Sequence, residues 1–343
     1  MHDPVLEAAR QIWSPFVLVM GLLAIGTVAE ADGLFAAIGT RIERIGGSTF
    51  RLFAALLALE AVVTAVLNLD TAVVFLTPIL LHAARQRGCD ERPFLYGALF
   101  IANAASILLP GSNLTNLIVL AHEHLSGAEV AKAMALPWLA SVGLTILLLA
   151  LWYRPQAEDG SRVEPPPLRL RTGALATVIA TAFILAFENP ALPVLAVGVV
   201  AASMRRLRPR LDLPVLVGLF LVAVAFGTLG RLWHGPMRLV AHLGSTTTAI
   251  VGSGAAVLVN NLPAASLLAA HRPPHPLPLL LGLNLGPNLA MTGSLAAYLW
   301  YRAARMADAR PSLTQVTILG SVVVPLTLAA ALVALSSTNP AGG

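Results

Sequence analysis

Charge is scarce in this 343-residue chain: Asp, Glu, Lys and Arg together make 11%, against about 25% in a soluble domain. Cysteine is scarcer still, with Cys89 alone in a short charged loop, RQRGCDER (residues 85–92). One thiol excludes an internal disulfide, a zinc cluster and a three-thiolate soft-metal site. A nucleophile triad, a P-loop and a zinc motif are all missing, so the chain reads as neither an enzyme nor an ATPase, with no cofactor and no resident metal. The net charge of +5 is carried by arginines between apolar runs, where they set topology rather than contact nucleic acid.

What is present is apolar. Hydrophobic residues make 57% and mean hydropathy is +0.78, which assigns the chain to the bilayer as an all-α polytopic membrane protein. Runs at 13–29, 94–121, 134–153, 173–188, 187–203, 213–229, 276–303 and 312–336 predict about eight full spans. The first is expected to be a retained helix, since no basic leader or cleavage box precedes it. Residues 50–85 and 245–271 behave differently: each is a pair of apolar arms meeting at a polar tip, with a return arm short of the ~20 residues a crossing needs. Both are expected to be re-entrant hairpins whose tips are held inside protein.

This layout sorts the 22 basic residues into 17 on one side and 5 on the other, predicting a cytoplasmic first side and two extracytoplasmic termini. It also predicts inverted repeats at 13–153 and 213–336. Residues 154–212 join them as a polar, proline-rich cytoplasmic linker (EPPPLRLR, 164–171) and a connecting helix pair. Such a plan suits alternating access.

Each half carries the same two polar interruptions. LNLDTA (67–72) precedes NAASILLPGSNLTN (103–116), and VNNLPA (259–264) precedes NLGPNLAMTGSL (284–295). An unsatisfied polar group in lipid costs several kcal/mol, so these clusters must line a cavity or a site. Asp70 is the exceptional ionisable residue: at a hairpin tip it would exchange a proton near neutral pH, or ligate a cation beside Asn68 and Thr71. The plain alternative is an exposed loop between two complete spans. Proline and glycine at Pro110-Gly111-Ser112-Asn113 and at Gly286-Pro287-Asn288 to Thr292-Gly293-Ser294 should break their helices and free backbone N–H groups and carbonyls. Asn103, Ser106, Asn113, Asn116, Asn284, Asn288, Thr292 and Ser294 would surround those gaps, with Asn68, Ser112, Gly293, Asn260 and Asn261 completing the expected substrate site; the bland reading is two proline kinks. Glu30 reads as interfacial. Glu60 is either a buried partner or a bundle-facing polar residue, and His122-Glu123-His124 reads as a solvated loop. With no Lys or Arg inside a span, an anionic substrate would be held by helix ends and amides alone.

NLGPNLAMTGSLAAYLW (284–300), NLDTAVVFLTPI (68–79), VNNLP (259–263) and the stretch from Asn103 to Asn116 resemble the signature segments of bacterial arsenite efflux permeases. These belong to an ion-transporter superfamily that also holds sodium/proton antiporters and sodium-dicarboxylate carriers. The resemblance runs from about residue 13 to 336, lacking the family's usual first span. It implies a secondary transporter exporting arsenite or antimonite against proton entry. Asn284 stands where many relatives carry Asp, and Asn288 where they carry Lys, which leaves Asp70 as the main titratable candidate. A sodium/proton antiporter or organic-anion carrier, and the membrane subunit of an ATP-driven pump, remain open. A homodimer and a separate ATPase subunit are both compatible partners.

Overall fold

The computed structural model describes residues 3–44, 48–154, 171–209 and 212–338; the proline-rich part of the expected linker lies outside them. Sixteen α-helices and no strand occur among the described residues. In chain order they are α1 (Pro4–Ala31), α2 (Leu34–Arg44), α3 (Thr49–Val66), α4 (Leu69–Gln86), α5 (Arg92–Ala105), α6 (Leu114–Val119), α7 (Gly127–Tyr153) and α8 (Thr172–Ala186). They continue as α9 (Ala191–Met204), α10 (Leu213–Leu232), α11 (Gly235–Ala241), α12 (Ser245–Val259), α13 (Asn261–Leu268), α14 (Pro276–Leu285), α15 (Leu295–Met306) and α16 (Leu313–Thr338). Of these, α1, α3, α7, α10 and α16 are long and apolar enough to cross a membrane. Their outer faces carry exposed aliphatics such as Leu151, Leu221 and Val333, as a lipid-facing surface requires.

Close approach of small residues holds the helices together. A Cβ on Gly21 of α1 would lie 2.8 Å from the Leu195 backbone of α9, and one on Gly198 of α9 would lie 2.6 Å from the Gly21 carbonyl. The same device seats α14 on α12, where Gly282 and Gly286 lie against the backbones of Ala249 and Ser253. Helices in lipid gain little from hydrophobic association, so backbone approach of this kind is what fixes their contacts.

Several boundaries differ from the sequence reading. Helix α1 starts at Pro4 instead of 13, because Asp3 accepts from the Val5 N–H as N-cap and Pro4 occupies the first turn. Helices α2 and α11 are additional; α2 is amphipathic and carries no long apolar run to announce it. The return arm α4 is 18 residues long, because Arg85 and Gln86 continue the helix beyond its apolar part. Shortness of the return arm therefore holds for α13, with 8 residues, and not for α4.

The two interrupted segments are broken as the proline and glycine pattern predicts. Helix α5 ends at Ala105 and α6 begins at Leu114, with a 3₁₀ turn at Pro110–Ser112 between them. Helix α14 gives way to two such turns, Gly286–Leu289 and Met291–Gly293, before α15 begins at Leu295. Polar tips at Leu67-Asn68 and Asn260 separate α3 from α4 and α12 from α13, and the members of each pair pack together.

Candidate functional site

Four helices start at these interruptions, and each is capped by a polar residue of the interruption itself. Asn68 Oδ1 accepts from the Thr71 N–H (2.7 Å) at α4. Asn113 Oδ1 accepts from Thr115 N–H (3.1 Å) at α6. Asn260 Oδ1 accepts from Leu262 N–H (3.3 Å) at α13, and Ser294 Oγ from Ala297 N–H (3.3 Å) at α15. Each cap satisfies one of the free donors a helix start leaves behind.

The four capped starts meet at one cavity of about 230 Å³, which Asp70, Thr71, Asn113, Leu114, Asn260, Asn261, Ser294 and Leu295 line. Both tips and both breaks therefore share one space, as the sequence reading requires of its substrate site. The partial positive charge of the starts of α4 and α15 favours negative charge there. Asp70 lies in the first turn of α4 and lines the cavity.

The remaining expected site residues are placed beside the cavity, in a polar lock between the two breaks. Asn284 Oδ1 accepts from Ser106 Oγ (2.8 Å) and Asn113 Nδ2 (2.6 Å), and Asn284 Nδ2 donates to Asn116 Oδ1 (2.8 Å). Asn103 Nδ2 donates to Asn288 Oδ1 (2.8 Å), and Asn288 Nδ2 to the Phe100 carbonyl (3.1 Å). All six side chains are buried. Ser112 donates to the Ala65 carbonyl (3.0 Å), tying the first break to α3. Thr292 donates to the Val257 carbonyl (3.1 Å) and accepts Asn260 through its own carbonyl (3.0 Å), tying the second break to the second tip. Gly293 packs on the Pro287 backbone, where a Cβ would lie 2.5 Å away. Asn103, Ser112, Asn116, Asn284, Asn288, Thr292 and Gly293 thus hold the site's frame, and none of them lines the cavity. Buried amides in lipid must pair, and here they pair with each other.

Two charged cavity residues escaped the sequence reading: Asp212, the N-cap of α10, and Arg302 of α15. Arg302 corrects the expectation that helix ends and amides alone would meet an anion. Its place near the end of an apolar run made it look like a loop residue, although α15 continues to Met306.

A second recess of about 600 Å³ opens at the opposite ends of α1 and α10, lined by Glu7, Arg10, Trp13, His122, Glu123 and Arg231 among others. Arg231 is buried in the last turn of α10, donates to Gln11 Oε1 (2.7 Å) and lies 3.7 Å from Glu7. The recess reaches Leu18 and Leu117, whereas the cavity reaches Val19 and Leu114. On α1, then, adjacent residues border the two spaces, and on α6 the bordering residues are three apart, a little under one helical turn. His122-Glu123-His124 borders this recess without forming a metal cluster among the described residues; Glu123 pairs with Arg272 (2.8 Å). Glu30 is exposed at the end of α1, and Glu60 is fully buried.

Comparison with known proteins agrees with this architecture. The model of the citrate transporter family CitMHS matches residues 2–286. The arsenical pump membrane protein of Yersinia enterocolitica is 24% identical over 84% of this chain and 78% of its own length. The inner membrane protein YbiR of Escherichia coli K12 is 26% identical, covering 87% and 81%. Among solved structures, the YdaH transporter of Alcanivorax borkumensis superposes with a TM-score of 0.59 at 14% identity, over 97% of this chain and 86% of that one. The chain is an integral membrane transporter and belongs to the citrate transporter family.

Proposed function

We propose that this protein is a secondary transporter that exports arsenite or antimonite across the bacterial inner membrane in exchange for protons carried by Asp70. The observation that carries this reading is the single cavity bounded by both tips and both breaks, with Asp70 in its wall. Arsenous acid is neutral at about pH 7 and presents three hydroxyl groups, which suit amides, hydroxyls and helix-start N–H groups. No thiol is required; Cys89 lies outside the cavity lining. The printed names of the arsenical pump relatives support the same substrate class.

In this reading residues 13–153 and 213–336 are inverted repeats joined by 154–212, and both helix pairs are re-entrant hairpins. The cavity side, bearing Arg302 and Asp212, faces the cytoplasm, and both termini lie outside. The thin barrier near Leu18 and Leu114 supports alternating access: movement of the tips and breaks against α1 and α10 would close one space and open the other. Substrate enters from the cytoplasmic cavity, leaves through the outer recess, and Asp70 returns with a proton. Asp70 would be the proton carrier, with Thr71 beside it.

Arg302 and the capped helix starts favour one rival, an organic-anion carrier of the citrate type, because both attract negative charge. Uptake of radiolabelled arsenite and of radiolabelled citrate into inverted, energised, sodium-free vesicles separates the two. Arsenite uptake that disappears when the proton gradient is collapsed is the expected result. Citrate uptake without arsenite uptake would reassign the substrate and keep the architecture.

A further inference from the structure

Helix α3 carries a second acid, Glu60, with no exposed surface and no hydrogen-bond partner for either carboxyl oxygen. One turn on, Thr64 is equally buried and its hydroxyl is equally unpartnered. At the tip, Asn68 Nδ2 and Thr71 Oγ1 are buried and unpartnered as well. Residues four apart share a helix face, about 6 Å from one to the next. Glu60 and Thr64 therefore share one face of α3, and the file continues past the helix end, four residues on in sequence, to Asn68 at the tip next to Thr71 and the cavity. The step from Glu60 to Thr64 is about two hydrogen bonds long.

Unsatisfied buried polar atoms are rare in native proteins, and five on four neighbouring side chains require an explanation. Packing does not supply one, because Leu or Val would fill the same space without the desolvation cost. A bare carboxylate without a partner would cost several kcal/mol, so Glu60 carries its proton in this arrangement.

The charged and titratable side chains described on the helices packed against α3 leave Glu60 without a hydrogen-bond partner. On α4, Asp70 lines the cavity, His82 pairs with Gln86, and Arg85 pairs with Glu91. Arg92 of α5 pairs with Asp90, and Arg41 of α2 donates to the Ala37 carbonyl. Tyr96 of α5 and Tyr153 of α7 bond Ser312 and Gln315, and Glu129 caps the start of α7, one turn from Lys132. None of them hydrogen-bonds Glu60.

We propose that Glu60 is a second proton-binding site of the transport cycle, connected to the cavity through Thr64 and Asn68. This rests on the proton-coupled reading above and extends it: Asp70 meets the substrate space, and Glu60 stores a proton behind it.

The test has two arms on the full-length protein. In proteoliposomes, Glu60→Gln should keep measurable arsenite counterflow while gradient-driven accumulation falls to the level of protein-free liposomes. Wild-type accumulation in that variant would overturn the proposal. Thr64→Val keeps the acid and interrupts the file. It should slow gradient-driven transport, and it decides the matter if Glu60→Gln fails to fold. The second arm needs no substrate. Infrared titration of the purified protein should show a protonated carboxylic acid band that is absent from Glu60→Gln and is reversibly lost as pH rises. An acid band that never responds while the protein stays folded, or no band assignable to Glu60, would overturn the proposal. If wild type ignores the gradient or moves no arsenite, the functional reading fails alone and the infrared arm still decides Glu60.

Discussion

The two polar tips use the same cap chemistry in opposite surroundings. Asn68 is 1% exposed, and its neighbour Thr71 is pressed against α1, where a Cβ on Gly26 would lie 2.6 Å from the Thr71 methyl. Asn260 is half-buried, and the helix leading to it ends with Leu258 83% exposed. Their backbones differ too. Asn68 is extended, at φ 165°, whereas Asn260 sits at φ 76° and ψ 149°, a conformation that favours glycine. The buried Glu60 and the cavity-lining Asp70 both belong to the first pair, and the second pair carries no acidic residue. A shared frame thus carries two jobs: the packed tip holds the titratable chemistry, and the half-exposed tip, tethered to Thr292, holds the wall opposite.

The largest expected break in this comparison is Asp70→Asn, which should cut gradient-driven transport by about a hundredfold or more, as loss of a proton-transferring group does. Asn261→Ala, in the first turn after the second tip, should cost far less. Vesicle flux at matched expression checks both, and equal losses would remove the division of labour.

Next in size is the lock between the breaks. Asn284→Leu leaves Ser106, Asn113 and Asn116 without their partner, so thermal unfolding in detergent should show a loss of about 2–5 kcal/mol. Gly282→Ala should cost about 1–3 kcal/mol, because the added carbon would meet the Ala249 carbonyl oxygen of α12 and backbone cannot step aside.

The smallest effect is the most discriminating for the tips. At position 260, glycine should be better tolerated than alanine by about 1 kcal/mol, since it relieves the positive φ. At position 68, whose backbone is extended, alanine and glycine should lose the cap to a similar extent. The same melting assay reads both pairs, and an equal preference at the two tips would contradict the difference in backbone.

Much of the frame was legible from residue order. The LNLDTA and VNNLPA tips and the two GS-containing breaks appeared as polar interruptions in apolar runs, and all four became helix starts. Asp70, Thr71, Asn113, Asn260, Asn261 and Ser294 were expected in the site and line the cavity. The other expected residues could not be separated from them, because an amide that lines a cavity and one that locks two helices look alike in a sequence. Only the partner across the fold tells them apart, and Asn103 and Asn288 are 185 residues apart. Asp212 and Arg302 were missed for a related reason: each stands at the edge of an apolar run, where periodicity says least. Helices α2 and α11 were missed because short polar-faced helices lack the long run that marks a span.

The sequence by itself determined that the chain lives in a bilayer and that its helices break at four places. Local rules suffice for those conclusions: hydropathy over about 20 residues, and the inability of proline and buried amides to continue a helix unaided. Tertiary structure alone decided that the four helix starts meet at one cavity, that seven of the expected polar residues form its frame, and that Glu60 is buried without a partner. Those facts depend on contacts between distant segments, set by how closely glycine lets backbones approach, and no local pattern records them.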